Sequence, residues 1–211
     1  MGYGQQAGGA LIVAVAAAFA LSAAPTFPQG IPGPDAAPNP YRLDEGWAKL
    51  PAGRNWGATF GASVDRSDGR SMWAFDRCEQ QTLCGDSHLA PIFHFDGTGK
   101  TIANFGADMF AAPHGLFADR SGNVWVTDFY ARNGKGYTVK KFSPDGNLLM
   151  TLRQEGVAGD NDSQDRFNAP SSVLIAPDDS IFVGDGHAMV DGKPTNARIV
   201  HFTKDGKFIK A

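Results

Sequence analysis

The stretch that decides the fold is MFAAPHGLFADRSGNVWVTD, Met109 to Asp128. It sets a histidine in a Pro113-His114-Gly115-Leu116 turn, then passes through a short apolar strand and an Asp119-to-Asn123 turn. It ends in the alternating strand Val124-Trp125-Val126-Thr127, closed by Asp128. Strand, turn, strand is a hairpin signature. The phrase returns as FNAPSSVLIAPDDSIFVGD, Phe167 to Asp185, where Pro170 answers Pro113, Phe182 answers Trp125 and Asp185 answers Asp128, each pair 57 positions apart. One offset shared by three landmarks marks an internal repeat. Repeat units of this length bury their faces by stacking on their neighbours.

Working outward, the same phrase precedes this stretch. A strand around Ala62 to Asp65, a turn at Ser67-Asp68-Gly69 and a strand Ser71 to Phe75 lead through a loop to Ile92–Phe95, the turn Asp96-Gly97-Thr98-Gly99, and a fourth strand Lys100 to Phe105. The second module runs Gly115 to Ala118, Val124 to Thr127, Thr138 to Phe142 and Leu148 to Leu152. The third runs Ser172 to Ile175, Ile181 to Val183, Ala197 to Phe202 and Lys207 to Ile209. Turns bearing Asp-Gly between alternating runs are strong hairpin signals. Modules of four antiparallel strands in constant register are blades of a β-propeller, and a β-sandwich would not keep that register. The sequence thus predicts an all-β chain of about three blades, near 57–106, 110–153 and 167–211, within a propeller spanning 41–211.

Composition agrees. Of 211 residues, 42% are hydrophobic, with 15 Phe, 4 Trp and 4 Tyr, a balance that favours strands. The 26 Gly and 13 Pro suit many short strands joined by tight turns. A net charge of -3 with interspersed signs offers no footprint for nucleic acid. Gly9 to Leu21 is an uncharged, Ala-rich run followed by Ser22-Ala23-Ala24-Pro25, so residues 1–24 read as a signal peptide or an N-terminal anchor. The run is short for a spanning helix, which needs about 20 residues, so no stable membrane insertion is expected. Residues 25–40 form a Pro/Gly-rich linker. The expected location is secreted or periplasmic. Cys78 and Cys84 share one loop, and an oxidising compartment would let them form a disulfide that pins that loop.

The phrases FAAPHGLFADRSGNVWVTD, KKFSPDGNLL and NARIVHFTKDGKF resemble the NHL-repeat propellers, and are similar in particular to the lyase domain of peptidylglycine α-amidating enzymes and its bacterial relatives, over roughly Gly46 to Ala211. That branch is six-bladed. The resemblance therefore implies a truncated ring, or self-assembly of two copies to close one, since half a ring leaves two blade faces exposed. It also implies cleavage of a carbinolamide carbon-nitrogen bond to give an amide and glyoxylate, assisted by a metal.

Residue by residue, the resemblance makes His114 a ligand of a central zinc, joined by histidines from two later blades, with Ser171 at the matching place in the third module. A histidine following proline also has a purely structural reading. The resemblance makes Arg77 the group that binds and polarises substrate, and a charged fork suits a carboxylate-terminated one. The alternative is a solvated loop arginine. At His187 the sequence departs from the pattern, which has a catalytic tyrosine there. A histidine could serve as the base, as a new metal ligand, or not at all. Leu116 and Ala62 match positions whose backbone carbonyls hold a structural calcium, an oxygen-loving ion. Asp128 and Asp185 read as turn residues accepting backbone hydrogen bonds. A second function class stays open: a non-catalytic propeller binding a peptide, glycan or small ligand across the ring face.

Overall fold

The structure, a computed structural model, describes residue 38 and residues 40–211. The expected signal or anchor and most of the linker lie outside the described residues. Contacts divide the chain into Met1–Leu43 and Asp44–Ala211, and everything below concerns the second unit. No helix among the described residues is long and apolar enough to cross a membrane.

Three four-stranded antiparallel sheets form three blades. The first is β1 (Gly61–Val64), β2 (Met72–Phe75), β3 (Ile92–Phe95) and β4 (Thr101–Phe105), in that order. The second is β5 (Pro113–Ala118), β6 (Val124–Asp128), β7 (Thr138–Phe142) and β8 (Leu148–Leu152). In the third, β9 (Pro170–Ile175) pairs with β10 (Ile181–Asp185), which pairs with β13 (Arg198–Phe202), with β14 (Phe208–Lys210) outermost. A two-stranded hairpin, β11 (Met189–Val190) and β12 (Lys193–Pro194), fills the loop between β10 and β13. That loop is long in sequence, but strands this short leave no periodicity to read.

Alternation explains the stacking. Successive side chains of a strand face opposite sides of its sheet. In the middle blade Val124, Val126 and Phe142 join a core with Trp73, Phe75 and Ile92 of the first blade. Trp125 and Val139 face the other way, into a core with Ile181, Val183, Val200 and Phe202 of the third. β6 is consequently buried along its whole length. The two ends differ: Phe93 and Phe95 on the first blade's other face are covered by Trp47, Leu50 and Trp56. The third blade's other face carries Leu174, 51% exposed, Ile199, 66% exposed, and Phe182 beside an apolar cleft of about 460 Å³.

The outer hairpins share one geometry. Gly99, Gly146 and Gly206 each donate an N–H to the carbonyl three residues back, adopt φ of +80, +84 and +77°, and are followed by a register shift in the ladder. This is a type I turn plus a glycine bulge rather than the two-residue turn that Asp-Gly alone signals. The innermost strands β1, β5 and β9 lie side by side. There a Cβ on Gly115 would stand 2.6 Å from the Ser171 carbonyl oxygen, so glycine is what lets β5 approach β9.

Candidate functional site

The site is built on residues 111–115, where the chain enters the second blade. The sequence reads Pro113-His114 as a turn, but both residues begin β5, and the pairing slips between Pro113 and Leu116. Several backbone groups of this irregular stretch find partners outside the ladder. Asp128, at the end of β6, accepts from the Ala111 N–H at 2.8 Å and the Ala112 N–H at 2.5 Å. Phe129 N–H donates to the Ala112 carbonyl, and Cys84 N–H to the Ala111 carbonyl. Gly115 N–H donates to Thr127 Oγ1 at 2.7 Å.

The strand-end aspartates repeat this duty. Asp76 accepts from Gly57 N–H and Asp185 from Asn168 N–H, each gripping the segment that leads into its blade. Asp128 and Asp185 do accept backbone bonds, but across the blade rather than within their own turns, whereas Asp76 also accepts from the Cys78 and Glu79 N–H groups that follow it. Asp76 and Asp185 also have arginine partners, Arg54 at 3.2 Å and Arg198 at 2.9 Å. Asp128 has none among the described residues, and burial pushes its pKa up to about 6 against the pull of the two N–H donors and Lys140.

Arg77 leans into this segment from the first blade. Only 5% exposed, it donates Nε–H to the Pro113 carbonyl at 3.2 Å. Its guanidinium carbon lies 3.8 Å from the Phe60 ring centre and 5.1 Å from that of Phe129. Among the described residues no carboxylate pairs with it. Burial lowers its pKa from the ordinary guanidinium value, while the field of Asp128 opposes that fall. This is not a solvated loop arginine. The loop behind it is pinned by a Cys78–Cys84 disulfide with Cα atoms 5.3 Å apart.

His114 is half-buried and stacks on Phe60, with ring centres 5.6 Å apart, while its edge meets Phe129 at 4.9 Å. Its Nδ1 lies 3.0 Å from the Ser171 carbonyl oxygen. A carbonyl only accepts, so Nδ1 carries the proton and Nε2 keeps its lone pair. Burial lowers the His114 pKa, the Ser171 hydrogen bond opposes that fall, and His187 and Arg77 add to it, so the neutral imidazole is favoured. His187, exposed after β10, sets its ring centre 4.9 Å from His114 and 4.9 Å from Phe129.

The fold thus gathers Arg77, His114 and His187, one from each blade, around Phe60 and Phe129. Those two rings were missed in the sequence. Phe129 directly follows the strand-closing Asp128, and that adjacency was the available signal. Among the described residues no set of three His, Cys, Asp or Glu side chains converges as for a metal. The residues present therefore do not fit a zinc held by three protein ligands. Ala62 and Leu116, matched to calcium, sit on the adjoining strands β1 and β5, where a Cβ on Gly61 would lie 2.8 Å from Leu116 Cβ.

No family model matches the chain. A probable peptidyl-α-hydroxyglycine α-amidating lyase of Caenorhabditis elegans is 34% identical over 110 residues, 52% of this chain and 28% of that protein. Relatives of this chain include amidating lyases and an NHL-repeat protein. A peptidyl-glycine α-amidating monooxygenase of Mus musculus is 35% identical over 111 residues, 52% of this chain and 10% of that protein. NHL repeat-containing protein 3 of Homo sapiens is 31% identical over 169 residues, 78% of this chain and 44% of that protein. The chain spans less than half the length of each of these relatives. The three blades and their homology agree with the NHL-type propeller architecture read from the repeats.

Proposed function

We propose that this chain acts at the carboxylate end of a peptide, as a peptidylamidoglycolate lyase does, releasing a peptide amide and glyoxylate. The observation that carries the reading is Arg77: a buried guanidinium oriented through Nε and two aromatic faces, with no paired carboxylate among the described residues. Leaving such a cation unpaired costs free energy that an incoming carboxylate recovers through charge-assisted hydrogen bonds. A peptidyl-α-hydroxyglycine supplies that carboxylate one carbon from its reacting centre. In the reaction the carbinol hydroxyl gives up its proton, its oxygen becomes the aldehyde of glyoxylate, the carbon-nitrogen bond breaks and the amide nitrogen takes a proton.

The chain's own contribution is then concrete. Arg77 holds the carboxylate, Phe60 and Phe129 exclude water from the guanidinium, and the imidazoles of His114 and His187 are the proton acceptors at the hub. The disulfide, together with the apolar run Gly9–Leu21, supports an extracytoplasmic location.

The test is glyoxylate release from a peptidyl-α-hydroxyglycine by the full chain. Release that falls at least a hundredfold in Arg77→Lys, which keeps charge but not the fork, supports the reading. A second reading is favoured by His187, since the lyase pattern has tyrosine at that place: the same hub binds carboxylate-ended peptides without cleaving them. Tight binding with no glyoxylate would establish that alternative.

A further inference from the structure

Resting on Arg77 as the holder of a peptide's terminal carboxylate, we infer that the cleft between Tyr137 and the β11–β12 hairpin receives the side chain just before the terminal glycine. It selects a bulky apolar or aromatic one.

Distance puts the cleft within one residue's reach of the hub. The Phe129 ring centre lies 5.1 Å from the Arg77 guanidinium carbon and 4.9 Å from the His187 ring centre. An extended chain advances about 3.3–3.6 Å per residue, so a glycine whose carboxylate meets Arg77 brings the residue before it beside His187. The cleft begins there: His187 N–H donates to Thr195 Oγ1 at 2.7 Å, and Thr195 lines the cleft. The hairpin is tied down on the same side. Asp191 and Gly192 form its two-residue turn, both with positive φ, and Asp191 accepts from the hydroxyl of Tyr130, the neighbour of Phe129, at 2.6 Å. The cleft, about 280 Å³, has room for one large side chain but is small for a whole ligand. Its chemistry follows from what is left free. Thr195 Oγ1 and Asp191 are already engaged, and Asp191 and Lys193, both exposed, carry opposite charges that favour neither an acidic nor a basic guest. The surfaces that remain are the half-buried Tyr137 ring, held against the core between the second and third blades, and Val190 and Pro194 on the hairpin. A bulky apolar side chain gains there by leaving water and by packing on the Tyr137 face.

The experiment titrates the full, oxidised chain calorimetrically with glycine-ended peptides that differ only in the residue before the glycine, which is phenylalanine, alanine or glutamate, each also made with an amide end. The phenylalanine peptide is expected to bind at least about tenfold more tightly than the other two. That preference should fall at least about threefold in Tyr137→Ala and in Val190→Ser, the second of which changes only the hairpin and leaves the inter-blade core intact. Equal binding of the three peptides, or a preference that survives in Val190→Ser and Tyr137→Ala alike, would overturn the cleft assignment. The amide-ended peptides separate the two readings. If carboxylate ends still bind better than amide ends while the preceding residue makes no difference, only the cleft is wrongly assigned. If carboxylate and amide ends bind alike, the reading of Arg77 falls and the cleft assignment falls with it.

Discussion

His201 shows what one repeated position costs when its partners change. In the first blade Trp73 donates Nε1–H to Asp65 at 3.0 Å and stacks on His94, whose Nε2 meets Ser71 Oγ at 2.9 Å. In the second, Trp125 donates to Asp119 at 3.1 Å, and Lys141 lies over the ring. The third blade has Phe182 for the tryptophan and Ala176 for the aspartate, a paired loss that leaves no orphan donor. Yet His201 still stacks on Phe182 at 4.2 Å, and both its ring nitrogens are buried without a partner. His201→Phe should therefore raise stability by about 1 kcal/mol in a denaturant titration; a loss would mean the imidazole is satisfied after all. Asp128 makes a second case. Its folded pKa of about 6 lies above the ordinary value of 3.8, so its contribution is fully present below pH 3.8, declines as pH rises from there and is gone above 6. Each unit of that shift is worth up to about 1.4 kcal/mol. Asp128→Asn should flatten the change in stability between pH 5 and pH 7 relative to wild type, and an unchanged slope would contradict the assignment. The sequence shows both residues and the lost aspartate. It does not show that, among the described residues, Asp128 lacks the arginine its two counterparts have, because Arg54 and Arg198 reach theirs from different places in the chain.

At the level of elements, turn chemistry made the blades legible. Glycine at each outer turn and aspartate at the end of each second strand recur because the backbone needs a positive φ in one place and an acceptor in the other. The β11–β12 hairpin was not legible, and neither was the start of β5. A proline, a histidine and a bulge disguise a strand whose hydrogen bonds go to Asp128 and Thr127 instead of a ladder. Gly115→Ala should displace β5 from β9, since the new Cβ would meet Ser171 oxygen at 2.6 Å. A cost of about 1–3 kcal/mol is expected, with loss of the His114 tautomer signature in nitrogen NMR. The disulfide closes a short loop, for which chain entropy gives about 2 kcal/mol. Cys78→Ala/Cys84→Ala should lose about that much in chemical denaturation and weaken carboxylate binding through Arg77. Unaltered stability would show that the Cys84–Ala111 backbone bond alone holds the loop.

For the molecule as a whole, the asymmetry of its two ends matters most. Trp47, Leu50 and Trp56 cover one free face, whereas Leu174, Phe182 and Ile199 leave an apolar surface on the other, of the kind that blades bury against a neighbour. Concentration-dependent association is expected in light scattering and should diminish in Ile199→Glu; a monomer at every concentration would show the face to be inert. The propeller class followed from the repeat, but the convergence of Arg77, His114 and His187 did not. It depends on inner strands lying side by side, which no spacing within one module encodes. That convergence is the central claim. The most direct test is calorimetric titration of the chain with two peptides that differ only in ending as a glycine carboxylate or a glycine amide. The account expects the carboxylate to bind at least tenfold more tightly, about 1.4 kcal/mol, with the preference gone in Arg77→Met and reduced in Arg77→Lys. Equal binding of the two peptides, or an undiminished preference in Arg77→Met, would contradict it.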